Sequence, residues 1–371
     1  MSHTLSHIPP DILVARDYER AAHERLEGGV LDYIAGASGD ERTLRANTQA
    51  FAQTWLSPRL LRAMTQGHTQ LNLLGQVLPH PILLAPVAYQ KLVHPQGEIA
   101  SAQAATAMDA CFVTSTLSSI PLEDIAQAAS RKWFQLYFQP DRAVTLDLVR
   151  RAERAGYSAL VVTLDTTIKA PSLRLQRQGF VLPNEIQAVN LTPYPPPPTR
   201  SLNEGDSVIF QGFMADAPTW DDLAWLMSHC QLPVVVKGVL RADDAQALQA
   251  MGVAAQVVSN HGGRALDGVP ASLSVLPAIR AAVGADYPLL LDSGIRSGSD
   301  IFKALALGAN AVLIGRLQVY ALAVAGALGV AHLLRTLREE LELCMAQAGC
   351  ATLADITPDL IHSSGNGDTP C

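Results

Sequence analysis

The sequence predicts an α/β fold: a closed (β/α)8 TIM barrel with an N-terminal helical extension and a long lid inserted after the fourth strand. Four observations predict it. Eight short apolar runs alternate with helical segments from residue 82 onward, their centres roughly 22 to 33 residues apart, as βα units require. A single gap of about 73 residues, between the fourth and fifth runs, leaves room for the insertion. The joints Ala155-Gly156-Tyr157-Ser158-Ala159, Met251-Gly252-Val253-Ala254-Ala255 and Leu307-Gly308-Ala309-Asn310-Ala311 repeat one phrase, a helix end, a glycine suited to a left-handed cap, then a strand. Finally, every run ends on a polar or conformationally special residue, at the face where such barrels keep their active sites.

The elements follow in order. Residues 11–37 are expected to be helical, with Leu26, Val30, Tyr33 and Ile34 on one face and Gly36 ending the helix. Ser38-Gly39-Asp40-Glu41 has capping-box spacing and starts a second helix through Ala50, so that N-terminal helices occupy about residues 10–60. The barrel spans about 80–350, with strands at 82–85, 111–114, 133–137, 159–163, 234–237, 255–259, 289–292 and 312–315. The insertion, about 181–220, contains Thr192-Pro193-Tyr194-Pro195-Pro196-Pro197-Pro198, which reads as an extended loop over the strand-C-terminal face. An Ala/Leu-rich stretch from Tyr320 to Gln347, with Leu322, Leu333, Leu337, Leu341 and Met345 as packing positions, closes the barrel. The tail from His362 is expected to be disordered.

Composition narrows the function. With 49% hydrophobic and 16% charged residues among 371, the chain has apolar material for one large core. A net charge of −7 and the lack of any Lys/Arg cluster argue against nucleic acid. Five cysteines, Cys111, Cys230, Cys344, Cys350 and Cys371, are odd in number and lack metal-ligand spacing, which predicts reduced thiols and no metal. The N-terminus has no apolar signal core, and no stretch is expected to reach the length of a membrane span, so a cytoplasmic location away from membranes is expected.

The strand ends carry the chemistry. They present Pro86-Val87-Ala88, Ser115, Gln135 with Tyr137, Thr163 with Asp165, Lys237, Ser259 with His261 and Arg264, Asp292 with Arg296, and Gly315-Arg316. In Ser259-Asn260-His261-Gly262-Gly263-Arg264 an imidazole able to move a proton near neutral pH adjoins a guanidinium able to clamp a carboxylate. Asp292-Ser293-Gly294-Ile295-Arg296 and Gly315-Arg316 form the phosphate cup expected after strands seven and eight. Ser115, Gln135, Thr163 and Ser259 suit the edge of a flat heterocycle, and Lys237 the part of it that becomes anionic on reduction. One phosphate and a flat ring point to FMN. No GxGxxG follows an early strand to support a dinucleotide.

Through Asp32-Tyr33, Ala85-Pro86-Val87-Ala88, Phe134-Gln135-Leu136-Tyr137, Leu164-Asp165-Thr166, Val236-Lys237-Gly238-Val239, the 259–264 turn, Asp292 to Arg296 and Ile314-Gly315-Arg316, the chain resembles the FMN-dependent L-2-hydroxy-acid oxidase and dehydrogenase family over about residues 10–360. The resemblance implies that His261 is the active-site base and Asp165 its orienter, that Arg264 and Tyr33 hold the substrate carboxylate, and that Tyr137 bonds the substrate oxygen. It also implies Lys237 at the flavin N1/O2 edge, Arg296 and Arg316 at the phosphate, and a homotetramer or octamer. The chain departs from the family pattern at Ser172, where members carry a second arginine. Arg174 lies two positions late and would help only if its loop were rearranged, leaving Arg264 and Tyr33 as the clamp. With Leu117 and Val87, this predicts a roomier, less polar pocket and a substrate bulkier than glycolate. Oxygen is the expected acceptor, giving hydrogen peroxide, and Ala88 matches the family's oxidases. Three alternatives stand beside this reading: a dehydrogenase using a quinone or other acceptor, an FMN barrel of another class such as an isomerase, and a catalytically silent barrel.

Overall fold

The computed structural model describes residues 4–168, 171–196 and 200–362. Eight parallel strands close into a barrel: β1 (Ile82–Leu84), β2 (Cys111–Ser115), β3 (Arg131–Leu136), β4 (Leu160–Thr163), β5 (Val234–Val239), β6 (Ala255–Val258), β7 (Leu289–Leu291) and β8 (Ala311–Ile314), with β8 pairing back onto β1. Alternation of side chains along the strands sorts them into two shells. Val113, Trp133, Val161, Val235, Val257, Leu290 and Leu313 belong to the cluster that fills the barrel. Phe112, Phe134, Leu160, Val162, Val234 and Val236 pack outward under the helices. Two residues further along the inward series stand Ser115, Gln135, Thr163, Lys237, Ser259, Asp292 and Gly315. An apolar barrel therefore ends in a polar floor, made by the same period of two that makes the core.

The strands match the expected runs closely, with two extensions. β3 begins at Arg131, because Lys132 satisfies the carbonyls of Ala126 and Ala129 and Arg131 pairs with Asp109. β5 runs on to Val239 through an irregularity at Gly238, whose φ is 111°. A Cβ at Gly238 would lie 2.6 Å from Cβ of Asp165. The glycine gives that aspartate its place.

An antiparallel hairpin, Leu71–Leu73 with Gln76–Leu78, was not foreseen. Leu74 and Gly75 both have positive φ, the requirement of its two-residue turn. Leu73 and Leu78 join the barrel-filling cluster.

The expected helix over 11–37 is broken into Asp17–His23 and Gly28–Ala35. Two adjacent glycines are weak helix formers, and Gly29 is needed small, since a Cβ there would sit 2.6 Å from the Phe180 ring. The next helix starts at Arg42 rather than after Ser38, because Glu41 adopts φ 59° and its carboxylate reaches back to the Ala37 N–H at 3.1 Å. Ser38 instead donates its own N–H to the Gly263 carbonyl, 2.9 Å away, drawing this segment onto the turn after β6.

The insertion is more ordered than an extended loop. The helix Leu173–Gln178 leads into it, and it contains a π-helical turn, Val208–Phe213. Buried Asn190 pins its first half, donating to Ser118 Oγ and accepting from the Leu122 N–H. Pro197, Pro198, Cys371 and the tail beyond His362 lie outside the described residues. The other four cysteines are unpaired.

The C-terminal helix Arg316–Ala348 corrects one expectation, since it is long and apolar enough to cross a membrane. Of its most apolar window, 78% is buried inside the fold, and the helix is kinked at Ala325 and Gly326. Its apolar face, including Leu322, Leu333, Leu337, Leu341 and Met345, is spent on the core.

Candidate active site

Above the polar floor lies a cavity of about 840 Å³. It is lined by Tyr33, Pro86, Val87, Ala88, Ser115, Tyr137, Thr163, Lys237, His261, Arg264, Asp292, Ser293, Gly294, Arg296, Gly315 and Arg316, all singled out in the sequence. Gln135, Ser259 and Asp165 stand immediately behind its wall. Ser259 hydroxyl, expected to meet the heterocycle directly, instead accepts from Lys237 Nζ at 2.8 Å and from the His261 N–H at 3.0 Å. It ties the floor to the turn after β6.

Lys237 and Asp292 form a buried ion pair at 2.9 Å, and Ser293 Oγ donates to the same carboxylate at 2.7 Å. Burial opposes the charge on Lys237, but Asp292 and Asp165 outweigh it and hold the ammonium above its ordinary pKa. A fixed cation therefore faces the cavity. Gln135 Oε1 accepts from Ser115 Oγ and the Thr116 N–H, and among the described residues its buried Nε2 has no partner. Thr163 Oγ1 is likewise buried and unpartnered. Such groups are costly unless a bound molecule satisfies them, and a flat, polar-edged ring over this floor does so.

His261 occupies a left-handed conformation, φ 57°, between β6 and two glycines. Its Nδ1 lies 2.9 Å from Asp165 Oδ1. For Asp165 burial opposes the charged form, yet His261 and Lys237 together pull its pKa below the ordinary range. A carboxylate held ionised against Nδ1 fixes the tautomer with the proton on Nδ1, so Nε2 is the nitrogen available as a base. Gly262 N–H donates to Ser293 Oγ at 2.9 Å, locking the turn to the loop after β7.

Arg264 reaches the cavity across the N-terminal segment. Nη1 donates to the carbonyls of Tyr33 and Gly36, and the guanidinium lies 5.2 Å from the Tyr33 ring centroid. Burial raises the Tyr33 and Tyr137 hydroxyls, keeping both protonated as donors. Arg174 is not part of this group. Its guanidinium bonds Asp32 at 3.4 Å and Glu41 at 2.6 Å, outside the cavity lining, while Ser172 caps the helix Leu173–Gln178. Of these two arginines, Arg264 lines the cavity, beside Tyr33, and Arg174 does not. Arg174→Ala is accordingly expected to change substrate KM by less than about threefold and stability by about 0–1 kcal/mol, as for a half-exposed pair. Steady-state kinetics and urea denaturation check both.

Arg296 lines the cavity but also pairs with Glu19 of the first helix at 2.9 Å. Arg316 is partly buried and donates to the carbonyls of Ile34, Gly262 and Gly36. Burial, reinforced by Arg264 and Arg296, pulls its pKa down to about 9. No carboxylate pairs with it among the described residues, which is what an anion site requires. At Gly315 an added Cβ would meet nothing nearer than Ala85 Cβ at 4.0 Å, so the glycine leaves open a cradle for a ligand. The residues present fit FMN: a floor of ring-edge partners, a cation beneath, and a cationic, glycine-lined end.

Sequence reasoning foresaw the lid but not the residues it places over the cavity, and it missed one wall. Leu202, Val208 and Phe213 of the insertion close the cavity, and Arg200 pairs with Asp216 at its edge. Tyr89 stands beside Tyr33, ring centroids 6.4 Å apart. Its signal is a backbone angle, φ 56°, that no residue pattern announces.

The comparisons agree with this geometry. A family model described as FMN-dependent dehydrogenase matches residues 22–363. An L-lactate oxidase of Alicycliphilus denitrificans is 58% identical, covering 96% of this chain and 98% of the relative. A 4-hydroxymandelate oxidase of Amycolatopsis orientalis is 43% identical over 91% of this chain and 94% of its own. A crystal structure of mandelate oxidase with (S)-2-phenylpropionate superposes with TM-score 0.85 at 40% identity, covering 94% of this chain and 98% of that one. A barrel with a polar floor, an imidazole and guanidinium on one turn, and a sequence match across nearly its whole length place this chain in the FMN-dependent dehydrogenase family.

Proposed function

We propose that this chain oxidises L-2-hydroxy acids bearing an apolar C2 substituent, L-lactate being the smallest, to 2-oxo acids, and passes the electrons to oxygen as hydrogen peroxide. The observation that carries the reading is the single turn holding His261, tautomer-fixed by Asp165, beside Arg264, the cation over Tyr33. Arg264 and the Tyr33 hydroxyl fix the carboxylate, and Tyr137 donates toward the substrate oxygen. This leaves C2 and its hydroxyl to meet His261 Nε2, which takes a proton while Asp165 stabilises the imidazolium that forms. Ser115, Gln135, Thr163 and Lys237 would hold the FMN ring and Arg296 and Arg316 its phosphate, and the cofactor would supply a two-electron sink that oxygen empties. Val87, Leu117, Leu202 and Phe213 add apolar surface to the pocket, which favours a substituent over the bare hydrogen of glycolate.

The names of the relatives, lactate and hydroxymandelate oxidases, support an oxygen-using enzyme and a substrate in this size range. The resemblance also carries a tetramer or octamer, to be read by light scattering. The decisive test is anaerobic titration of the yellow protein with glycolate, L-lactate, longer L-2-hydroxy acids and L-mandelate. Bleaching by the substituted acids, rapid recovery in air, and a lower kcat/KM for glycolate than for L-lactate are expected. A flavin indifferent to every acid, or reoxidation taking minutes, contradicts the reading.

A further inference from the structure

Strained backbone marks the cavity. Seven non-glycine residues have positive φ among those described, and three of them, Tyr89, His261 and Ser293, line it. Bulky side chains rarely hold this conformation unless the surroundings over-determine it, and such positions gather at functional sites. His261 and Ser293 belong to the catalytic turn and the floor. Tyr89 has no part in either.

What over-determines Tyr89 is a buried carboxylate. Glu98 is fully buried, with no cation paired to it among the described residues. Its Oε1 accepts the N–H of Gln90 at 3.0 Å and of Ser119 at 2.9 Å, and its Oε2 takes Ser119 Oγ at 2.8 Å. Ser119 Oγ in turn accepts the Lys91 N–H, while the Tyr89 N–H bonds the Leu117 carbonyl at 3.2 Å. The carboxylate thereby ties the loop after β1 to the loop after β2 immediately past Tyr89, and the backbone bond to Leu117 ties them at Tyr89 itself. The ring is held tilted by 53° against Tyr33, on the wall shared with Val87 and Leu117. Once Arg264 and Tyr33 have fixed a carboxylate, with C2 at His261, the substituent on C2 is directed to the remaining wall.

We propose that Tyr89 is a specificity-determining residue whose ring, kept in place by the Glu98 anchor, limits the size of the C2 substituent. The proposal rests on the 2-hydroxy-acid reading above. Its test uses flavin-loaded wild type, Tyr89→Gly, Tyr89→Phe and Glu98→Gln. Glycine accepts the left-handed backbone without strain, so only the ring is lost.

Two readouts are taken: kcat/KM for L-2-hydroxyisocaproate relative to L-lactate, and the ratio of dissociation constants for the matching 2-oxo acids, 4-methyl-2-oxopentanoate and pyruvate, followed by flavin absorbance. Tyr89→Gly is expected to shift both ratios toward the larger acid by about fivefold or more, in the range that a few methylenes in a pocket command. Tyr89→Phe is expected to keep the wild-type ratios within about twofold, since the ring and not the hydroxyl is the wall. Glu98→Gln is expected to move the ratios in the same direction as Tyr89→Gly, with flavin content unchanged. A smaller shift for Tyr89→Gly, an equal shift for Tyr89→Phe, or unmoved ratios for Glu98→Gln overturns the proposal. If wild type oxidises no 2-hydroxy acid, the functional reading fails on its own, and the 2-oxo-acid titrations still decide the role of Tyr89.

Discussion

His261→Asn protein is expected to stay yellow and folded while its kcat/KM for L-2-hydroxy acids falls by about 10²–10⁴-fold, the usual worth of a positioned general base. Asparagine keeps a short polar side chain, tolerates the left-handed φ of 57°, and removes the only ring nitrogen that can accept the proton. Asp165→Asn should fall in the same direction, because the amide no longer stabilises the imidazolium and no longer fixes the tautomer. A dissociation constant for a 2-oxo acid that stays near the wild-type value while the rate collapses separates lost proton transfer from lost binding. If both variants reduced their flavin at wild-type rates, His261 would not be the base.

Lys237→Met should have the largest effect on stability. Removing the ammonium leaves Asp292 buried beside the floor without its 2.9 Å partner, a defect of about 3–5 kcal/mol. Urea midpoints of the flavin-free proteins measure it, and the flavin content at purification should fall with them. Lys237→Met combined with Asp292→Leu should recover most of the lost stability but not the flavin, since an apolar pair replaces a buried ion pair without an orphan charge. The pH dependence follows from the signs. Lys237 has a raised pKa, so its contribution is complete below the ordinary lysine value of about 10.4 and is lost as pH rises through the raised value. Asp165 has a depressed pKa, so its contribution is present above about 3.9 and is lost as pH falls through the lower value. Wild type should therefore lose stability outside a plateau bounded by these limits, and Lys237→Met should lack the alkaline limb.

The barrel was legible because a βα repeat writes itself into sequence as spacing, and because period-two alternation carried each apolar strand into its polar end. The floor from Ser115 to Gly315 and the His261–Arg264 turn followed directly. The failures have physical causes. Three-residue strands such as Leu71–Leu73 are too short to show a period, so the hairpin left no trace. The long N-terminal helix looked continuous because periodicity cannot show that Phe180 needs the space at Gly29. Arg174 could not be placed because its partners, Asp32 and Glu41, are distant in sequence. Tyr89 stayed hidden because its distinction is a torsion angle, enforced by a glutamate nine residues on and a serine from another loop.

The end of the short helix Gly28–Ala35 has a wider consequence. The carbonyls of Tyr33, Ile34 and Gly36 receive both Arg264, from the substrate side, and Arg316, from the phosphate side. Cutting away the first forty residues would strip Arg264 of these carbonyl acceptors and Arg316 of two of its three, so any trimmed, grafted or permuted form of the barrel must carry that short segment with it.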